Sequence, residues 1–334
     1  MRFPASRSGA TTAIKVFISV LSLYLLVRAC DLDWAEAVSL IRSSKLKLLA
    51  LAIAGFPALM AVKAWRWKLL VHDLELKYPF LEAFLSYLAA FGIGVVTPGR
   101  VGEFAKGAYL ERHTGASRTK AFASVLGDRL FDLVFLLLFG TLGYLRVLIP
   151  RLSLAFPAMG FAAFVLCYAV VGRLGAGRGR WRFPAGRCPR IEEFVRAATG
   201  SFFSRTAALC WLLTAAAYAV YFSASYVLML GLNIVMPPFE AALVMAAVSL
   251  ALLLPLTIAG LGQRETLLVL LLGRYGIDPE TALSFSMLHF AVFYLAGGCL
   301  GLAAIWTRPL PLGFRIGFVS PAEDERGSKT LEKQ

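Results

Sequence analysis

The sequence predicts an all-α fold: a polytopic membrane protein of about six full transmembrane helices, with two broken or re-entrant helical hairpins set in an inverted repeat. Three observations predict it. Hydrophobic residues make up 59% of the 334 positions and charged residues only 16%, with a mean hydropathy of +0.72, whereas a soluble domain carries about 25% charged residues. The apolar residues gather into runs that match the roughly 20 residues a helix needs to cross about 30 Å of hydrocarbon. Two further apolar runs stop abruptly at segments rich in Pro and Gly.

Six runs read as full spans: residues 13–29, 46–65, 121–148, 154–172, 206–232 and 281–306. The first ends at Cys30 like a cleavable leader, but Arg28 stands immediately before that point and more apolar chain follows, so a retained helix is expected. Trp65, Arg66, Trp67 and Lys68 at the end of the second run read as an aromatic and basic anchor at the membrane surface.

The two interrupted runs differ from these. Residues 80–96 stop at Thr97-Pro98-Gly99-Arg100-Val101-Gly102-Glu103, and a second short apolar stretch follows at 104–110. Residues 239–254 stop at Pro255 through Gly260-Leu261-Gly262-Gln263-Arg264-Glu265, again with a short apolar stretch, 266–272, behind. Proline removes a helix hydrogen bond and clashes with the preceding turn. A backbone broken at membrane depth survives only where protein or a water-filled cavity covers it. Both regions therefore read as helical hairpins that enter the membrane and return.

The net charge of +14 (34 Lys and Arg against 20 Asp and Glu) does not point to nucleic acid, because the basic residues sit between apolar spans. It follows instead from the bias of Lys and Arg toward cytoplasmic loops. The loop 173–205 carries eight arginines against Glu192 and Glu193, which makes it cytoplasmic, and counting spans in both directions puts both termini on that side. Arg42, Lys45 and Lys47 fall on the outer side and oppose the scheme. The expected setting is a bacterial inner membrane, crossed several times. Residues 1–307 form the membrane domain and 308–334 a polar tail of mixed charge. Five cysteines without a C-x-x-C pair and three dispersed histidines give no disulfide framework, no metal site and no cofactor signature.

The chain resembles itself. Leu74-Glu75-Leu76-Lys77-Tyr78-Pro79-Phe80-Leu81-Glu82-Ala83 reads like Leu230-Gly231-Leu232-Asn233 followed by Pro238-Phe239-Glu240-Ala241, and a broken hairpin follows each. The repeats run roughly over 46–150 and 206–307. Three spans and one hairpin separate their starts, an odd number of crossings, so the repeats should be inverted across the membrane. Inverted repeats with broken helices commonly build a substrate site that opens to either side.

A charge inside a membrane segment is costly and is a candidate for function. Arg100, Glu103 and Lys106 fall on the first hairpin tip, where helical chain from Val101 would set Glu103 and Lys106 on one face. Arg264 and Glu265 fall on the second tip. Asp128, Arg129 and Asp132 lie near the start of the third full span, with the two carboxylates one turn apart. That trio is either functional or a buried structural ion cluster. The arginines of the tips suit a phosphate, which guanidinium groups hold through paired hydrogen bonds. No catalytic constellation stands out: G-x-S-x-G, H-E-x-x-H and Walker patterns are all missing. An enzyme is therefore not expected.

Three blocks taken together, Thr97 through Glu103, then Gly127-Asp128-Arg129-Leu130-Phe131-Asp132, then Pro255 through Glu265, resemble the signature of the lysylphosphatidylglycerol synthase transmembrane-region family, also described as flippase-like membrane proteins. The likeness runs from about residue 13 to 306. The family often has Glu where this chain has Asp128, a conservative departure. The resemblance implies a module that binds or moves lipids with charged headgroups. In two-part relatives a separate soluble domain makes the aminoacylated lipid. About 28 residues (334 minus 306) follow the last span here, so aminoacyl transfer is not expected. The partners implied are membrane lipids, anionic phospholipid first among them, with a homo-oligomer or a lipid-modifying enzyme as further partners. Three readings stay open: a lipid translocase or lipid-binding transporter, a membrane-embedded transferase acting on a lipid-linked substrate, and an accessory subunit of a lipid- or glycan-modifying enzyme.

Overall fold

A computed structural model describes residues 34–149, 206–254, 256–257 and 260–309. The predicted spans at 13–29 and 154–172, the arginine-rich loop, Pro255 and the tail from 310 onward lie outside the described residues. Numbered over those residues, the helices are α1 (Trp34–Ser43), α2 (Leu46–Asp73), α3 (Phe80–Val96), α4 (Ala105–Thr114), α5 (Arg118–Leu148), α6 (Ala207–Gly231), α7 (Pro238–Ala251), α8 (Gln263–Gly273), α9 (Pro279–Phe290) and α10 (Gly297–Thr307). A 3-10 turn, Pro98–Phe104, joins α3 to α4, and a π-helical turn, Ala291–Ala296, makes α9 and α10 one continuous rod. No strand occurs among the described residues.

Among the described residues, four rods are long and apolar enough to cross a bilayer: α2, α5, α6 and Pro279–Thr307, of 28, 31, 25 and 29 residues. At 1.5 Å per residue each exceeds 30 Å. They match four of the six predicted spans. One boundary differs: α2 does not stop at Trp65 but runs on to Asp73, because Arg66 is answered by partners inside the protein and need not reach water.

Both interrupted runs are helix–break–helix hairpins. At the first, the 3-10 turn folds back onto α3. A Cβ on Gly102 would stand 2.6 Å from the backbone of Ile93, so only glycine lets the returning chain come that close. The chain is 3-10 and not α-helical from Val101, with Arg100 in the left-handed region at φ 55°. Non-glycine residues rarely adopt that conformation.

The internal repeat is clearest at the helix ends. Just past the end of α2, Leu76 N–H donates to Val71 O and Glu75 takes φ 62°. Just past the end of α6, Ile234 N–H donates to Met229 O and Asn233 takes φ 58°. Both are the same left-handed C-cap, and both lead to a proline (Pro79, Pro237) that caps the next helix. This corrects the register read from the sequence. Leu74 matches Leu232, not Leu230, and Glu82 and Ala83 match Glu240 and Ala241 without a gap. The offset is constant at 158 (237 minus 79, 240 minus 82).

Packing follows the same offset. The two leading helices, α2 and α6, lie against each other. α3 packs on α10 of the second repeat, and α7 packs on α5 of the first. Small residues permit these crossings. Gly301 on α10 lies against Gly92 on α3, where an added Cβ would sit 2.6 Å from the Gly92 Cα. Gly143 on α5, its equivalent (301 minus 143 is 158), would meet Leu243 O at 2.2 Å. In lipid, where apolar burial gives helices no reason to associate, such close approach and interhelical polar bonds hold the bundle.

Candidate functional site

Buried positions on α2 recur at helical spacing through Phe56, Leu59, Met60, Ala64, Arg66, Trp67, Leu70 and Val71. Arg66 is on this stripe and fully buried. It is therefore not part of a surface anchor, nor is the fully buried Trp67. Trp65 alone of the two tryptophans faces outward, 55% exposed and beside Phe80.

Across from Arg66, the one-turn spacing of Asp128 and Asp132 on α5 turns both carboxylates toward the guanidinium. Arg66 Nε donates to Asp128 Oδ1 at 2.8 Å, and Nη1 donates to Asp132 Oδ1 at 2.9 Å and to Thr214 Oγ1 on α6 at 2.8 Å. Nη2 reaches Asp128 Oδ1 at 2.7 Å and its carbonyl at 3.1 Å. Lys106, on the returning arm of the first hairpin, pairs with Asp128 Oδ2, which also accepts from Tyr87 Oη at 2.9 Å. Lys63 pairs with Asp132 Oδ2 at 2.9 Å. The Lys106 ammonium lies 4.0 Å from the centre of the Tyr87 ring, a cation–π contact that replaces part of its lost hydration. Desolvating these ions is costly, and only complete pairing offsets that cost.

Arg129 does not join Asp128 and Asp132, as the sequence suggested. It turns to Glu103 on the first tip, which also faces Arg100 at 3.7 Å. Glu103 and Lys106 thus engage neighbouring residues of α5, and the first tip is clamped to that helix.

The second tip is built differently. Glu265, at the third position of α8, accepts from Gly262 N–H at 2.7 Å and so caps its own helix. Its other oxygen pairs with Arg264 and accepts from Ser286 Oγ at 2.9 Å, while Arg264 Nε donates to Ser286 Oγ at 3.0 Å. The guanidinium lies 4.9 Å from the centre of the Phe290 ring and 5.3 Å from that of Tyr294. Arg264 Nη1 is buried and has no hydrogen-bond partner among the described residues. The same is true of Thr257 Oγ1, in the loop before α8, and of His289 Nδ1.

Tyr294, on the π-helical turn, joins the tips. Arg100 Nη2 donates to its hydroxyl at 2.7 Å while Arg264 rests against its ring. The structure thus brings all eight sequence-predicted site residues into two adjoining groups: Lys106, Asp128 and Asp132 around Arg66, and Arg100, Glu103, Arg129, Arg264 and Glu265 around the tips. Sequence reasoning missed Arg66, Lys63, Tyr87, Ser286 and Tyr294. Arg66 was detectable, since it falls in register with the apolar stripe of α2.

The repeat offset relates the two tips. Lys106 corresponds to Arg264 and Asp128 to Ser286 (264 minus 106 and 286 minus 128 are both 158), and in each repeat the first bonds the second. Asp132 corresponds to Phe290 and Phe131 to His289.

Comparison with known proteins agrees with this architecture. The family described as lysylphosphatidylglycerol synthase TM region matches residues 12–301. No curated protein matched the chain. With its long apolar rods and a family match over most of its length, this is a multi-pass membrane protein of the lysylphosphatidylglycerol synthase transmembrane-region family.

Proposed function

We propose that the protein binds and translocates an anionic phospholipid, or a lipid-linked anion, across a bacterial inner membrane, with its termini on the cytoplasmic side. One observation carries this reading: Arg100 and Arg264, from opposite repeats, meet at Tyr294, and Arg264 keeps a buried guanidinium nitrogen without an acceptor among the described residues. A phosphate oxygen is a fitting acceptor for it. The constant offset and the reciprocal packing of α3 with α10 and α7 with α5 support two repeats that rock against each other. The odd number of predicted crossings between their starts makes those repeats inverted. The bond from Arg100 to Tyr294 spans them and would break and re-form as the site faces each leaflet. Asp128 is saturated by Arg66, Lys106 and Tyr87, which suits a strut better than a catalytic base.

Purified protein in liposomes should move fluorescent phosphatidylglycerol between leaflets, and Arg100→Ala combined with Arg264→Ala should abolish the movement while the variant still elutes as a monodisperse species. Equal rates for wild type and variant would overturn the assignment.

A further inference from the structure

The end of the bundle where α2 and α4 finish holds a cavity that shares no residue with the tips or with the Arg66 network. Its volume is about 440 Å³, within the roughly 300–1,000 Å³ of small-molecule sites. Four of its lining residues are basic, and three elements supply them. Lys68 and His72 stand one turn apart on α2, Lys77 lies on the loop to α3, and His113 on the last turn of α4. Leu76, Tyr78 and Pro79 give the cavity an apolar wall. Tyr78 is buried and bonds Ser86 Oγ at 2.7 Å, and its ring meets the His113 ring edge-on, with centroids 5.1 Å apart.

No carboxylate lines this cavity. Of the acidic residues near it in sequence, Asp73 accepts from Thr206 Oγ1, Glu82 pairs with Arg308, Glu111 pairs with Arg118, and Glu75 is exposed. Lys68, His72, Lys77 and His113 have no ion pair and no side-chain hydrogen bond among the described residues. Lys63 and Lys106, deeper in the same repeat, each have a carboxylate. Carbonyls at a helix C-terminus favour a cation in the last turn. That accounts for His72 and His113, but not for Lys68, farther inside α2, or Lys77, beyond its end.

The repeat shows that the fold does not need these bases. At the offset of 158, Lys68, His72, Lys77 and His113 become Tyr226, Leu230, Val235 and Leu271. There Tyr226 Oη bonds across the same corner to Met236 O at 3.1 Å. The left-handed C-cap is the same in both repeats, yet only the first surrounds it with positive charge.

Depth in the membrane points to the ligand. Trp65 is 55% exposed beside Phe80, and outward tryptophans mark the boundary between hydrocarbon and water. Lys68 and His72 follow it by roughly 5 and 10 Å along α2, at the level of lipid headgroups. Basic pockets between membrane helices at that level hold anionic headgroups.

We propose that this cavity binds the phosphate of an anionic phospholipid from the adjacent leaflet, the cytoplasmic one in the topology proposed above, as a second site that works independently of the tips. The lysines attract the phosphate and disfavour headgroups that carry an ammonium. The apolar wall takes the glycerol and the first methylenes. Free phosphate has the same charged oxygens but nothing for that wall, so it should bind more weakly.

The test is native mass spectrometry of the detergent-purified full chain with increasing phosphatidylglycerol, with parallel titrations of phosphatidylcholine and inorganic phosphate. Lys68→Gln combined with Lys77→Gln should weaken the binding of one phosphatidylglycerol by about thirtyfold, some fivefold per lysine, and leave phosphatidylcholine binding unchanged. Lys77→Glu, at an exposed position outside any helix, should weaken it in the same direction without altering the melting temperature. Phosphatidylglycerol binding that neither variant changes would overturn the site. Inorganic phosphate that binds as tightly as the lipid, or phosphatidylcholine that responds equally to the variants, would overturn the anionic lipid as its ligand. An Arg264→Ala variant that keeps every lipid, beside a Lys68→Gln/Lys77→Gln variant that loses one, would overturn the tip site and support this one.

Discussion

The two hairpin tips occupy equivalent places in the repeat and use their cations in opposite ways. Lys106 meets a carboxylate from another helix, Asp128, which is itself held by Arg66 and Tyr87, and the ammonium is enclosed by aromatic rings. Arg264 meets a hydroxyl at the matching position, Ser286, borrows the carboxylate of its own neighbour Glu265, and keeps one nitrogen without a partner among the described residues. One architecture thus gives a fully paired cation in the first half and an incompletely paired one in the second. What separates them is the presence of a carboxylate on the long helix. A cation whose anion is built in stiffens the bundle, whereas a cation left short of one can recruit it from outside.

The largest expected effect comes from breaking the strut. Arg66→Ala strips Asp128 and Asp132 of their shared partner inside the bundle, and removing one member of a buried ion pair costs about 3–5 kcal/mol. The variant should lose its monodisperse elution profile or melt far below wild type in the same detergent, and an unchanged melting temperature would refute the strut.

A double variant converts the proposed receptor into a strut. Glu265→Gln with Ser286→Asp moves the carboxylate to the position it holds in the first repeat and keeps the net charge. Anion affinity should fall roughly ten- to a hundredfold, the equivalent of one charge-assisted hydrogen bond of ~1.5–3 kcal/mol, with melting little altered. Retained lipid affinity in this double variant would show that the missing carboxylate does not define the receptor.

Smaller effects sharpen the picture. Tyr294→Phe keeps the ring under Arg264 but deletes the acceptor for Arg100, so it should cost about 1 kcal/mol and alter transport rate more than lipid affinity, as separate rate and binding measurements would reveal. Arg118→Ala is the control. Its pair with Glu111 is largely exposed, with the arginine side chain 70% accessible, and such pairs contribute under ~1 kcal/mol. Thermal melting should not distinguish it from wild type.

Much of this was legible in the sequence for physical reasons. Hydropathy reports span length directly, so α5, α6 and the Pro279–Thr307 rod emerge within a few residues of their bounds. Pro and Gly mark the breaks at both tips. The pairing was harder to read. Arg129 stands between Asp128 and Asp132 in sequence, yet the helix turns it away toward Glu103, while their partner Arg66 lies 62 residues before Asp128. Arg66 was mistaken for a surface anchor because a charge flanked by tryptophans at the end of an apolar run usually is one. Only its register with Phe56, Leu59 and Leu70 revealed that it faces inward. Nor could a local pattern find Tyr294, since the π-helical turn rotates it relative to an ideal helix.

The reciprocal packing of the repeats also bears on how the chain is made. Gly92 on α3 is covered by Gly301 on α10, which is synthesised 209 residues later (301 minus 92). The first hairpin is therefore made long before its contact surface on α10 exists, after α2 and just ahead of α5. The Arg66–Asp128–Lys106 network can form during that interval, because all of its members belong to the first half. The ionic clamp thus needs only the first half of the chain, whereas the Gly92 contact needs the final rod.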